Sequence, residues 1–356
     1  MRAHNFSAGP AALPLSVIEE ARAELPVYKD AGASIMEISH RSPEYTAVAA
    51  SARERLSSLL GIGDEWHILF LHGGASTQFY QVPLNFLSEG GTADYVDTGA
   101  WSAKAIKESQ RVGTTHVAGT SKADNYTWIP SPATWDRTEG ASYLHFTSNN
   151  TIHGTELHVD PASDVPLVCD ASSDFLSRPY DLSNYGLIYA GAQKNLGPAG
   201  VTLVLVKDSF LQRRNSDVPT ILDYGTHTAK LFHTPTVFAV YMVEKVLAWI
   251  QENGGLEGMR RRNQEKADLL YGRLDRTEFY RGTARDDARS FMNVTFRLPS
   301  EELESRFVAE AKGEGLVGLK GHRSVGGIRA STYNAIGIES VKALVDFMDR
   351  FEASNG

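Results

Sequence analysis

The chain has 356 residues, of which 42% are hydrophobic and 22% charged, with a formal net charge of −8. That composition is ordinary for a globular protein with a large core, and the absence of any basic tract or aromatic-interleaved basic stripe argues against a nucleic-acid partner. A single cysteine, Cys169, excludes a disulfide framework and a cysteine-based metal site, and no apolar run approaches the roughly 18 residues of a membrane span, so a cytoplasmic protein with no membrane partner is expected.

In chain order, "LPLSVIEEARAEL" reads as a helix with Leu15, Ile18 and Ala21 or Arg22 near one face. "EYTAVAASARERLSSLLG" is a second helix, with Gly61 placed to cap its C-terminus. "HILFLHGG" is a short buried strand running into glycines. "STQFYQVPLNFL" then predicts a helix opened by Ser76 or Thr77 and kinked or interrupted by Pro83. Further strands are predicted at "TADYVDT", "YLHFTS", "VPLVCDA", "GLIYA" and "VTLVLV". Short apolar strands alternating with helices predict an α/β fold, with a mostly parallel sheet covered on both faces. After "TPTVFAVYMVEKVLAWIQENGG" the character changes to a long amphipathic helix, the strand "SFMNVTFRL" and the helix "SEELESRFVAEAKGEG". A second, smaller α/β domain is expected there. Residues 16–255 form the expected large domain, and residues 1–15 with 256–356 the small one.

Three strand ends carry candidate chemistry. In "LFLHGGASTQF" a strand meets Gly73-Gly74 just before a helix, where free backbone N–H groups and hydroxyls suit an anion. On its own the stretch is equally an ordinary strand–turn–helix. Asp170 ends the run "LVCD", at the edge where open α/β sheets gather ligands; as an isolated feature it is more often a turn residue or a helix cap. Lys194 lies in "GAQKNLGPAG", among small residues between two apolar runs. A lysine in a dry site loses its proton readily and becomes a nucleophile, although a lone lysine in a turn is more often only a surface residue. Together, in this order along one sheet, the three match the needs of pyridoxal phosphate: a phosphate cradle, an acid facing the ring nitrogen and a lysine for attachment. Trp101, just after Thr98 and Gly99, could stack on such a ring. Two His-Arg pairs, His40-Arg41 and His322-Arg323, with Arg329 six residues after the second, suit a small, highly anionic substrate. No metal site is expected, because the histidines show no H-E-x-x-H pattern and His153 and His158 are poorly spaced for one helix face.

At these residues the chain resembles the phosphoserine aminotransferase family of the fold-type I pyridoxal-phosphate enzymes. The similar segments are "NFSAGPAALP", "ISHRS", "LFLHGGASTQF", "VDTGAWS", "TSNNTIHGTE", "VCDASSDFLSRP", "YAGAQKNLGPAG" and "GHRSVGGIRASTYNA", spanning nearly the whole chain. The resemblance implies pyridoxal 5'-phosphate as cofactor and transamination of 3-phosphohydroxypyruvate with L-glutamate. It implies Lys194 as the cofactor-attached lysine with Gln193 beside it, Asp170 as the pyridinium partner and Trp101 as the stacked ring. Thr151 would lie near the phenolic oxygen, with Ala75 and Ser76 in the phosphate cradle. His40, Arg41, His322 and Arg323 would meet the substrate phosphate or side-chain carboxylate, and Arg329 the α-carboxylate. The family is homodimeric, and "FHTPTVF", with His233 and Thr234, would reach the partner's cofactor phosphate. Two departures stand out: Ser76 replaces an arginine found in some members, and His233-Thr234-Pro235-Thr236 replaces the usual Asn-Thr-Pro-Pro. The rival expectations are a transaminase for serine, alanine or glyoxylate, and a non-catalytic binder of phosphorylated ligands. A cysteine desulfurase is disfavoured because Cys169 sits inside an apolar strand.

Overall fold

The computed structural model describes residues 2–356. Its centre is a seven-stranded sheet of Trp66–Leu71 (β1), Thr92–Asp97 (β2), Thr114–Thr120 (β3), Leu144–Thr147 (β4), Leu167–Asp170 (β5), Tyr185–Gly191 (β6) and Thr202–Lys207 (β7). The spatial order is β1-β7-β6-β5-β4-β2-β3. All neighbours pair in parallel except β7, which runs antiparallel to both β6 and β1. The mostly parallel expectation therefore holds, and the ends of β1, β2, β4, β5 and β6 share one edge.

The two-residue alternation of a strand explains the two layers that cover this sheet. Ile68 and Phe70 of β1, with Leu203 and Leu205 of β7, face a core closed by helices Pro43–Leu60 and Val237–Glu252. Leu69 and Leu71, with Val204 and Val206, face the opposite way, onto Phe79, Val82 and Phe86 of helix Gly74–Phe86. A third cluster surrounds a three-stranded antiparallel sheet of Arg281–Gly282, Asn293–Arg297 and Ile328–Ser331, packed by helices Glu301–Gly313 and Ile338–Asn355. The long helix Gly255–Leu274 serves two cores: Leu256 and Met259 join the first, while Ala267, Leu270 and Leu274 join the third.

Several local expectations change. Helix Leu15–Glu24 buries Val17 and Ala21, whereas Leu15 is exposed, so the predicted face is rotated. The helix after β1 begins at Gly74, two residues before Ser76, because its N-cap Gly73 takes φ 90°. A Cβ at Gly73 would also sit 1.9 Å from the Thr77 hydroxyl oxygen, so the turn needs glycine on both counts. Pro83 lies inside that helix without ending it. A mid-helix proline costs about 3 kcal/mol, and burial of Phe79, Val82 and Phe86, each contributing roughly 1.5–3 kcal/mol, outweighs it. Strand β3 was not expected: it is the sheet edge and largely solvent-facing, so it lacks an apolar run. Gly61 caps the second helix as expected, with φ 64° and its N–H donating to Ser57 O.

Candidate active site

The shared edge of the sheet brings the strand-end residues together. Asp170 is the last residue of β5 and only 4% exposed. One carboxylate oxygen accepts the Ser172 N–H at 3.0 Å, and Ser172 Oγ in turn accepts the Gly191 N–H at 3.1 Å. The turn carrying Asp170 is thus tied to the end of β6, from which Lys194 projects. Burial pushes the Asp170 carboxyl up, while Ser172 and the Lys194 ammonium pull it down.

Lys194 Nζ donates to Thr151 Oγ1 at 2.6 Å and lies 5.9 Å from the centre of the Trp101 ring. The Thr151 carbonyl accepts from Arg329 Nη1 at 3.3 Å, so Lys194, Thr151 and Arg329 form one connected group. Desolvation lowers the Lys194 pKa to about 8, against the opposing pull of Asp170. Arg329 adds to the lowering. A substantial neutral fraction at mild pH is what a nucleophilic or proton-shuttling lysine requires.

Trp101 stands in the first turn of helix Ala100–Ser109, whose start is locked by Ser102 Oγ accepting the N–H groups of Thr98 and Gly99 at 2.9 Å. Its indole N–H is buried and has no partner among the described residues. Ala75 and Ser76 occupy the first turn of helix Gly74–Phe86, where backbone N–H groups lack intrahelical partners. Gln193 flanks Lys194, and its carbonyl accepts the Ala11 N–H at 2.8 Å. The N-terminal segment therefore lies across the lysine: a Cβ on Gly9 would be 3.6 Å from the side chains of both Gln193 and Lys194. Tyr333 anchors the same segment by donating to Ala8 O at 2.8 Å.

The cationic residues divide into two groups. Arg329 and His322 line one cavity of about 320 Å³. Burial lowers the His322 pKa, and Arg329, Arg323 and Lys104 lower it further, although Arg323 itself is exposed. His40 lies instead near His233, in a group completed by His72 and His227. The His233 ring is 4.5 Å from that of His72 and 5.2 Å from that of His227. Both His233 ring nitrogens are buried without a partner among the described residues, and burial with these neighbours lowers its pKa to about 4. Thr234 and Arg41 are exposed. No group of three or more potential metal ligands occurs among the described residues.

The set fits a flat, phosphorylated aromatic aldehyde. It offers an aromatic face with an unpartnered N–H, a buried carboxylate with spare acceptor capacity, a partly deprotonated lysine, and a glycine-opened helix start for an anion. The first relationship this defines is the class. The sequence pattern of the class-V aminotransferases matches residues 3–344, and the fold is that of the fold-type I pyridoxal-phosphate enzymes. Phosphoserine aminotransferase of Niallia circulans is 53% identical over 359 residues, covering 100% of this chain and 99% of its own. A phosphoserine aminotransferase structure from Bacillus circulans subsp. alkalophilus superposes with TM-score 0.97 at 53% identity, covering 100% and 99% of the two chains. A pyridoxal-phosphate-bound one from Trichomonas vaginalis gives TM-score 0.93 at 38% identity, covering 98% and 100%. The chain belongs to the phosphoserine aminotransferase family.

Sequence reasoning assigned no role to Gly9, Tyr333, His72, His153 or His227. Gly9 was within reach, since "NFSAGPAALP" is one of the family-like segments. His72 and His153 likewise lie in the family-like segments "LFLHGGASTQF" and "TSNNTIHGTE", whereas His227 lies in none of them.

Proposed function

We propose that Lys194, Asp170, Trp101, Thr151 and Arg329 carry out, in this chain, the reaction of its family. That reaction is pyridoxal-phosphate-dependent transamination of 3-phosphohydroxypyruvate with L-glutamate to O-phospho-L-serine and 2-oxoglutarate, a step of serine biosynthesis. The observation that carries the residue assignment is Lys194: its amine is held 2.6 Å from Thr151 Oγ1, beside the Trp101 ring, with a lowered pKa.

When bound, pyridoxal phosphate supplies the electron-accepting ring that makes the substrate Cα–H acidic. Asp170 would face the ring nitrogen and keep it protonated. Its burial strengthens that interaction, and the Ser172 N–H keeps the carboxylate aimed. Trp101 would cover one face of the ring and orient it. The N–H groups at Ala75 and Ser76 would hold the phosphate, with Gln193 flanking the lysine. The Lys194 amine would move the substrate's Cα proton, and its short link to Thr151 holds that amine in place. Arg329 would bind the α-carboxylate through its fork, whose Nε is buried and unpartnered among the described residues. His322, Arg323, His40 and Arg41 would receive either the phosphate or the glutamate side chain.

Because no hydrogen bond joins His40, Arg41, His233 or Thr234 to the Lys194 group within one chain, the reading includes a homodimer in which they complete the partner's site. It also keeps a cytoplasmic location, and it keeps residues 16–255 as the cofactor domain, with 1–15 and 256–356 as the smaller one. The activity is tested by mixing pure protein, cofactor, O-phosphoserine and 2-oxoglutarate and following glutamate. Rapid glutamate release, with serine and alanine at least tenfold poorer donors, is expected. Equal use of the three donors would refute phosphate selectivity.

A further inference from the structure

We propose that His153 is a further specificity-determining residue, which donates a hydrogen bond to the phosphate of the substrate from the wall of the cavity it shares with His322 and Arg329. The proposal rests on the aminotransferase reading and adds a residue to its substrate site.

The cavity holds about 320 Å³, at the small end of the usual range of about 300–1,000 Å³ for ligand sites, which suits a three-carbon acid better than a large ligand. Most of its polar lining is already engaged. Thr283 and Thr295 share a hydroxyl–hydroxyl contact of 2.5 Å, and Thr295 Oγ1 also donates to the His153 carbonyl at 3.1 Å. Arg297 is ion-paired to Glu304 and donates to Val325 O at 3.1 Å. The cationic and imidazole groups of the lining that retain free capacity are the Arg329 Nε, the Nε2 of His322 and the His153 ring, beside the uncharged Asn125 and Thr127 side chains.

Nδ1 of His322 is taken up by Ser324, whose N–H lies 3.2 Å and whose hydroxyl lies 2.7 Å from it, which leaves Nε2 facing a ligand. His153 is half-buried and packs against the Tyr126 ring, with 4.9 Å between centroids. Neither of its ring nitrogens hydrogen-bonds another described residue, whereas its backbone is held at both the carbonyl and the following turn. Gly99 makes the space: a Cβ there would lie 3.1 Å from His153 Cδ2 and 2.6 Å from Asn150 Oδ1. The ring is therefore wedged between the start of the Trp101 helix and the cavity, where burial and, secondarily, His322 lower its pKa while Asp97 raises it. A neutral imidazole presents one N–H. A phosphate carries nearly two negative charges against one on a carboxylate, so the same donor favours the phosphorylated substrate over glutamate.

The test compares wild type, His153→Ala and His153→Gln as holoenzymes, the glutamine retaining a donor. Binding of O-phosphoserine and of glutamate is read from the cofactor's visible band, and the imidazole nitrogens are followed by NMR. His153→Ala is expected to weaken O-phosphoserine binding about tenfold, the effect of one lost charge-assisted hydrogen bond, with glutamate changed less than about twofold, and His153→Gln to recover part of the loss. O-phosphoserine should shift the His153 nitrogen signals in wild type. Equal weakening of both substrates, no weakening, or unshifted signals while wild type binds normally would overturn the proposal. A wild-type band that ignores O-phosphoserine altogether would instead overturn the aminotransferase reading beneath it.

Discussion

The Lys194 floor and the His233 corner lie at the same edge of the sheet but are built differently. On the floor, the Lys194 amine and both Asp170 and Thr151 have a bonded partner within the chain, and these bonds knit three strand ends and the C-terminal sheet together. In the corner, four histidines crowd one another, the His233 nitrogens are unpartnered among the described residues, and Arg41 and Thr234 face outward. The floor's lysine, carboxylate and threonine are joined by hydrogen bonds within one chain, whereas, among the described residues, the His233 ring of the corner is not.

The sharpest way to break this contrast is at the floor. Lys194→Ala should reduce turnover by about 10⁴-fold, the loss of a proton-transfer group, with the fold intact by circular dichroism; substantial residual turnover would remove Lys194 from the chemistry. Asp170→Asn should cost roughly 100-fold and also lower the Lys194 pKa, because the carboxylate's charge is what holds that pKa up against desolvation. Uptake of cofactor by the apo-protein, followed against pH, should rise through about pH 8 in wild type and at lower pH in the variant. An upward shift would contradict the assigned electrostatics.

Mixing subunits tests the corner. Chains carrying Arg41→Ala and chains carrying Lys194→Ala, each inactive alone, should regain roughly a quarter of wild-type activity when reassorted as dimers. No recovery would place Arg41 and Lys194 in the same chain's site. The smallest effect is expected from His233→Asn: cofactor retention near pH 8 should change by less than about threefold, since His233 is neutral there. With a folded pKa of about 4 against an ordinary 6.5, His233 takes up its proton more readily unfolded, so stability falls as pH drops through that window. The asparagine variant should lose less stability between pH 6.5 and 4, as read by thermal melting.

Much of the floor was legible because its residues end apolar runs: Asp170 closes "LVCD" and Lys194 follows "GLIYAG". What the sequence hid were contacts made across distance. Thr151 meets Lys194 over 43 residues and Arg329 over 178, and no periodicity carries such information. The edge strand Thr114–Thr120 escaped notice because its faces are wet. The start of the helix after Gly73 was misplaced because a glycine backbone, not the Ser76 hydroxyl, sets it.

The central claim, that Lys194 is the residue joining this chain to pyridoxal phosphate and moving protons for transamination, is tested most directly by the visible spectrum of the purified protein. Wild type should be yellow with cofactor, bleach on adding glutamate and regain its colour with 3-phosphohydroxypyruvate, while Lys194→Ala shows neither response. A wild-type protein that stays colourless with added cofactor, or a Lys194→Ala protein that cycles normally, would contradict the account.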